Sequence, residues 1–195
     1  MKTKPHCKTW ILLGLMALFT AMRWPGLWPD TLKGFSPVYA IFFCAGLYFR
    51  GWQVWVIPVG LMFISDLVIN HWFYSVPLMG GYMLANYAMW LGIGLVGWLL
   101  RNERRTALLV GGGALGAGAF FMVTNSIAWL ANPVYAKTWA GLVQSFTTGE
   151  LGYPPPIVFL KNTIASGALF TLAIVAAVNY ARAKETANSD FQLKT

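Results

Sequence analysis

The sequence predicts an all-α membrane protein, a bundle of about six transmembrane helices with both termini in the cytoplasm. Hydrophobic residues make up 57% of the 195 residues and charged residues only 10%, whereas a soluble domain carries about 25% charged residues. The apolar residues are also grouped into runs, several of which approach the ~20 residues that a helix needs to cross a bilayer. The lipid bilayer is therefore the expected surroundings of most of the chain.

Six hydrophobic runs account for most of the sequence. They predict helices at about residues 8–22, 35–49, 52–70, 81–100, 106–130 and 158–182, and a polar cytoplasmic tail at 183–195. A single transmembrane domain thus occupies residues 1–182. The longest joint, 131–157, contains Trp139, Leu142, Val143 and Phe146 at a spacing that places them on one apolar face of a surface helix.

The basic residues indicate the orientation of these helices. Of the 14 Lys and Arg residues, ten belong to the inside set (Lys2, Lys4, Lys8, Arg50, Arg101, Arg104, Arg105, Arg182, Lys184, Lys194) and four to the outside set (Arg23, Lys33, Lys137, Lys161). Cytoplasmic joints carry the excess of Lys and Arg, so this division predicts cytoplasmic termini. It also argues against a nucleic-acid partner, which would require a basic stripe on one folded surface.

Polar side chains lie at one depth, in the outer third of five predicted helices. The candidate substrate-binding residues among them are Tyr39, Asp66, Asn86, Thr124, Asn125, Trp129 and Asn162. Polar groups are costly in hydrocarbon and normally turn towards a cavity or towards each other. The set therefore predicts either a pocket open to the outside, with the 131–157 joint as its lid, or hydrogen bonds that only tie the helices together.

Asp66 is the only acidic residue inside a predicted span. An ionised carboxylate costs about 2.5–3.5 kcal/mol at the centre of a transmembrane helix and less near its ends. We therefore expect Asp66 to face the interior of the bundle beside a cationic group. Lys161, at the outer end of the last predicted helix, is the expected partner.

No sequence motif indicates catalysis or a bound cofactor. The chain has no HExxH motif, no Ser-His-Asp arrangement and only two histidines. Its two cysteines, Cys7 and Cys44, lie in a flank and in mid-span, which suggests neither a disulfide nor a metal site. We expect no enzymatic activity, no cofactor and no metal, and any energy for transport must come from another protein or from an ion gradient.

Several short motifs resemble those of a known family. They are Phe35-Ser36-Pro37-Val38, Ser65-Asp66, Thr124-Asn125 with Trp129, Tyr135-Ala136-Lys137-Thr138 with Gly141-Leu142, and Lys161-Asn162-Thr163. From the second helix onward, the chain resembles a family of small bacterial membrane proteins of unknown function. These proteins are described as substrate-specificity (S) components of energy-coupling factor (ECF) transporters.

The resemblance implies a role in uptake across the bacterial cytoplasmic (inner) membrane. S components capture micronutrients, typically water-soluble vitamins or their precursors, near the outer face, and they dock on a transmembrane coupling subunit driven by two ATPases. Many carry Ala-x-x-x-Ala on the first helix for that docking, a pattern that Ala17 and Ala21 match. The ligand of this particular family is not established.

Two other classes of function remain open. One is a structural or assembly subunit of a larger membrane complex, in which the outer polar residues are contact surface. The other is a secondary carrier that depends on Asp66. A carrier usually places ionisable groups along a path to both faces, and the inner halves of the predicted helices lack them.

Overall fold

The computed structural model describes residues 7–76 and 81–192, which form seven α-helices. The helices are α1 (Cys7–Ala21), α2 (Val38–Tyr48), α3 (Gln53–Ile69), α4 (Gly81–Leu99), α5 (Thr106–Ala131), α6 (Trp139–Phe146) and α7 (Pro156–Gln192). A short 3-10 turn, Asp30–Leu32, precedes α2, and a π-helical turn, Asn70–Tyr74, extends α3. The described residues contain no β-strand, so the predicted all-α class is confirmed.

Three of the helical segments are long and apolar enough to cross a membrane. They are Gln53–Tyr74, Thr106–Ala131 and Pro156–Ala187. The other apolar helical stretches are shorter, at Thr9–Ala21, Val38–Tyr48 and Met83–Leu99. This combination of length and apolarity indicates a membrane protein.

The short helix α2 lies at the centre of the bundle. Its residues 38–47 are all buried, and α1, α3, α4, α5 and α7 all pack against it. The 11 residues of α2 span only about 17 Å, roughly half the thickness of the hydrocarbon layer. Because neighbouring helices cover every face of α2, its length does not have to match the thickness of the hydrocarbon layer.

Glycines allow two pairs of helices to approach closely. A Cβ atom added at Gly97 of α4 would collide with the carbonyl oxygen of Phe43 in α2. Between α5 and α7, a Cβ at Gly167 would lie 2.7 Å from the carbonyl oxygen of Gly113. Small residues permit such backbone contact in membrane helices, where van der Waals packing drives association.

The helix boundaries differ from the predicted ones mainly at the C-terminal end. α7 continues to Gln192, so the predicted polar tail is helical as far as that residue. The joint 131–157 contains α6, which buries Gly141 and Ser145 and leaves the apolar side chains of Trp139 and Val143 exposed. The described residues do not include Lys2, Lys4 or the end of the tail at 193–195, which contains Lys194.

The two ends of the bundle are distinguished by their charged residues. The C-terminal end of α1 and α3 and the start of α4 bring Arg23, Asp66 and Asn86 together; we call this the Asp66 end. We call the opposite end the arginine end. It is formed by the start of α1 and of α3, the C-terminal end of α2, the α4–α5 joint and residue 182 of α7. Along the chain, α1, α2, α3, α4, α5 and α7 therefore alternate in direction, as short joints require.

The close approach of α2 and α4 gives a direct test of the packing. Gly97→Ala should lower the stability of the protein in detergent by about 1–3 kcal/mol, because the added methyl group overlaps the backbone of α2. Gly92→Ala is the matched control, since Gly92 lies on the same helix with nothing within 4 Å of an added Cβ. Thermal unfolding should show Gly92→Ala at least as stable as the wild type, and equal behaviour of the two variants would contradict the packing.

Candidate functional site

A largely buried ion pair joins the helices at the Asp66 end. The Arg23 guanidinium donates from Nη2 to Asp66 Oδ1 at 2.7 Å and from Nη1 to Ser65 Oγ at 2.9 Å. The hydroxyl of Tyr87 donates to the other Asp66 oxygen, Oδ2, at 2.8 Å. The side chains of Arg23 and Asp66 are only 14% and 12% exposed. The prediction that Asp66 faces the interior of the bundle is therefore confirmed.

The predicted pairing of Asp66 with Lys161 is wrong. Lys161 is exposed on α7, and within the described residues α3 packs against α1, α2 and α4 but not against α7. Arg23 takes the place of Lys161 because it lies two residues after the end of α1, which does pack against α3. In the sequence, Arg23 belongs to the predicted outside set of basic residues, and nothing there distinguishes it from the other charges of the joints.

The ion pair lines a pocket of about 400 Å³ between α1, α3 and α4. Its lining residues are Arg23, Asp66, Ile69, Asn70, Tyr74, Val76, Met83, Asn86, Tyr87 and Trp90. Positive and negative charge, two amides and three aromatic rings thus surround one space. Of the predicted site residues, Asp66 and Asn86 belong to this pocket.

Three donors at this pocket have hydrogen-bonding capacity that is not used. A guanidinium has five N–H groups, and Arg23 uses two of them for Asp66 and Ser65. Within the described part of the chain, the amide of Asn86 makes no hydrogen bond with another residue, and the buried Trp90 Nε1 has no acceptor. The guanidinium of Arg23 also lies 5.7 Å from the centre of the Trp90 ring. The pocket can therefore offer directional hydrogen bonds and flat apolar contact.

A second pocket, of about 340 Å³, lies between α2, α5 and α7. Its lining residues are Gly34, Tyr39, Phe120, Phe121, Thr124, Asn125, Pro156, Phe159 and Thr163. Thr124 Oγ1 donates to the Phe120 carbonyl at 2.8 Å, and Asn125 Nδ2 donates to the Phe121 carbonyl at 2.9 Å. These two side chains thus bond to their own helix, and the pocket is mainly aromatic and apolar.

A pair of stacked rings lies between the two pockets. Trp90 lines the first pocket and Phe120 lines the second, and their rings are 6.3 Å apart at an angle of 17°. The predicted polar residues therefore do not converge on one space. Asp66 and Asn86 lie on one side of the stack, and Tyr39, Thr124 and Asn125 lie on the other.

Two predicted site residues line neither pocket, because they hold connections between helices. Trp129 Nε1 donates to the Ala136 carbonyl at 2.8 Å, and the Lys137 ammonium lies over the Trp129 ring and donates to its carbonyl. Asn162 Nδ2 donates to the carbonyl oxygens of Thr31 and Lys33 at 2.9 and 2.8 Å. Trp129 thus fixes the start of the α5–α6 joint, and Asn162 fixes the α1–α2 joint to α7.

The remaining predicted residues, Ala17 and Ala21, lie on the surface of α1. Both are exposed, as is Gly14 one turn before Ala17. They form a flat strip that no other part of the described chain covers. Among the residues that the structure describes, no group of three His, Cys, Asp or Glu side chains could hold a metal ion.

The Arg23–Asp66 pair can be tested by a double-mutant cycle. Arg23→Gln and Asp66→Asn should each lower stability by about 1.5–3 kcal/mol, the usual contribution of a hydrogen bond to a charged group. The double variant should lose less than the sum, because each single change leaves a buried charge unpaired. Lys161→Gln should leave thermal unfolding in detergent unchanged. Additive losses, or an effect of Lys161→Gln equal to that of Arg23→Gln, would refute the pairing.

The comparisons with known proteins identify a family but no activity. No curated protein and no solved structure matches the chain. Residues 3–189 match DUF6580, a family of unknown function. Because this match covers nearly all of the 195 residues, the chain belongs to the family of unknown function DUF6580.

Proposed function

We propose that the protein is the substrate-binding (S) component of an ECF-type uptake transporter in the bacterial cytoplasmic membrane. It captures a small, ring-containing, water-soluble micronutrient, a vitamin or a vitamin precursor, from the outside. The observation that carries the proposal is the pocket at the Asp66 end. Its volume of about 400 Å³ falls within the range of roughly 300–1,000 Å³ that is usual for small-molecule sites.

The lining of this pocket suits a flat ligand with polar edges. The rings of Tyr74, Tyr87 and Trp90 offer apolar contact to a planar group. Asn86 can donate and accept hydrogen bonds at its edge. Both Asp66 oxygens already accept a hydrogen bond from the chain, so that this carboxylate orients Arg23. The three remaining N–H groups of Arg23 are then available to an acceptor on the ligand, such as a carboxylate or a carbonyl.

The proposed orientation places the pocket outside and both termini in the cytoplasm, with six spans. Arg50, Arg101, Arg104 and Arg182 meet at the end opposite the pocket, and an excess of Arg and Lys marks the cytoplasmic side. The three shorter apolar helices complete the six spans together with the three long ones. The surface helix α6 then lies at the outer face, with Trp139 and Val143 exposed towards the bilayer surface.

The proposed contact with a coupling subunit is the strip on α1 that contains Gly14, Ala17 and Ala21. Small residues let a partner helix approach closely, and nothing in the described chain covers this strip. The coupling subunit and its ATPases would supply the energy of transport.

The ligand should be detectable by mass spectrometry of the small molecules that remain bound after purification in a mild detergent. Asn86→Ala should reduce the retained amount about tenfold, because a polar edge of the ligand loses its partner at a cost of about 1–3 kcal/mol. Asn125→Ala is the matched control, since Asn125 lines the second pocket and bonds to its own helix. Both variants should elute from a sizing column as the wild type does.

The pattern of losses separates the alternatives. If Asn125→Ala reduces the retained amount of ligand and Asn86→Ala does not, the ligand binds in the second pocket. A wild-type protein that retains no small molecule and copurifies with proteins other than ATPases would favour the assembly subunit. Uptake by the chain alone, driven by an ion gradient and abolished by Asp66→Asn, would favour the carrier.

Docking can be tested by copurification from the native membrane. The wild type should bring down a transmembrane coupling subunit and ATPases, and Ala17→Trp or Ala21→Trp should remove them, because an indole on the strip prevents close helix contact. Ala119→Trp is the control, since Ala119 is also an exposed alanine of a membrane helix, α5. Unchanged copurification with all three variants would contradict docking through α1.

A further inference from the structure

A cleft of about 630 Å³ opens at the arginine end of the bundle. Four guanidinium groups line it: Arg50 from the α2–α3 turn, Arg101 and Arg104 from the α4–α5 joint, and Arg182 from α7. These residues are separated by up to 132 positions in the sequence, so that only the fold brings them together. The other lining residues are neutral.

No carboxylate in the described chain neutralises these four arginines. The ion pairs within the described residues are Arg23–Asp66, Lys33–Asp30 and Arg105–Glu103, and none of them includes a cleft arginine. Glu103 is the nearest acidic residue in sequence to Arg101 and Arg104, but it is committed to Arg105. The pKa of Glu103 is lowered to about 2 by hydrogen bonds from the Arg105 side chain and from the backbone N–H groups of Arg105 and Arg104. Glu103 is therefore ionised at neutral pH and stays paired with Arg105.

A buried hydroxyl at the cleft also has no partner. Tyr48 lines the cleft, and its Oη is buried without a hydrogen bond within the described residues. The guanidinium of Arg182 lies 5.4 Å from the centre of the Tyr48 ring. A buried polar atom without a partner costs free energy, and a bound acceptor with several oxygen atoms would remove that cost.

The preference for basic residues on the cytoplasmic side explains the sign of these charges but not their arrangement. Charges that only set the topology repel one another and have no need to line a common cleft. A bound anion would offset the repulsion. Guanidinium groups also match the oxygen geometry of phosphate, to which they donate pairs of parallel hydrogen bonds.

We infer that this cleft is a binding site for a phosphate group, carried either by an anionic lipid or by a soluble phosphate compound. Arg50, Arg101, Arg104 and Arg182 supply the charge, and the Tyr48 hydroxyl donates to one phosphate oxygen. The site lies at the other end of the bundle from the pocket of the proposed function and does not depend on that function.

The two sources can be distinguished with the purified full-length protein in a neutral detergent. One arm measures the thermal midpoint with sodium phosphate against sodium chloride at equal ionic strength. The other compares mixed micelles of phosphatidylglycerol with mixed micelles of diacylglycerol, a lipid that has no phosphate group. Stabilisation by phosphate alone identifies a soluble ligand, stabilisation by phosphatidylglycerol alone identifies a lipid, and stabilisation by both shows that the site recognises the phosphate itself. If neither probe stabilises the protein, the inference is wrong.

Variants show whether the effect arises in the cleft. Arg101→Gln and Arg182→Gln should each raise the half-maximal probe concentration about tenfold or more, and Tyr48→Phe about threefold, in line with lost charged and neutral hydrogen bonds. Lys184→Gln is the control, since it removes one charge from the same helix as Arg182 but does not line the cleft. If Arg182→Gln does not fold because it loses the Tyr48 contact, Arg101→Gln decides. If Lys184→Gln and Arg101→Gln raise the half-maximal probe concentration equally, the attraction is non-specific and the inferred site is wrong.

Discussion

The ion pair between Arg23 and Asp66 is the interaction on which the Asp66 end of the bundle depends. Two opposite charges can remain in an apolar bundle only when each compensates the other and further hydrogen bonds satisfy the remaining atoms. Ser65 and Tyr87 supply those bonds, so that α1, α3 and α4 are tied at one point. The pocket follows from this arrangement, because the helices must leave room for a guanidinium and the aromatic side chains around it.

The sequence was a good guide to the elements of the fold and to the interior position of Asp66. Hydrophobic runs predict helices close to the observed ones because burial and helix formation depend on nearby residues. The spacing in 131–157 predicts a surface helix, and α6 lies there. The high cost of an uncompensated carboxylate correctly places Asp66 inside.

The composition of the site could not be predicted in the same way, because it depends on which helices are neighbours. Lys161 and Arg23 have the same charge and both belong to the predicted outside set, and only the packing of α1 against α3 selects Arg23. The predicted depth of a residue also does not show which groups its side chain bonds to. Thr124 and Asn125 bond to their own backbone, and Asn162 holds a joint that is distant in sequence. Residues at the same level thus belong to two pockets and several connections.

The glycine contacts have a mechanical consequence for the bundle. α2 is locked to α4 at Gly97, and α5 is locked to α7 at Gly113 and Gly167, so each pair behaves as one stiff body whose members cannot slide without backbone collision. The seam between the two bodies is filled by side chains, among them the stacked rings of Trp90 and Phe120. Because Trp90 lines one cavity and Phe120 lines the other, a shift of one body against the other that moves this stack changes the shape of both cavities.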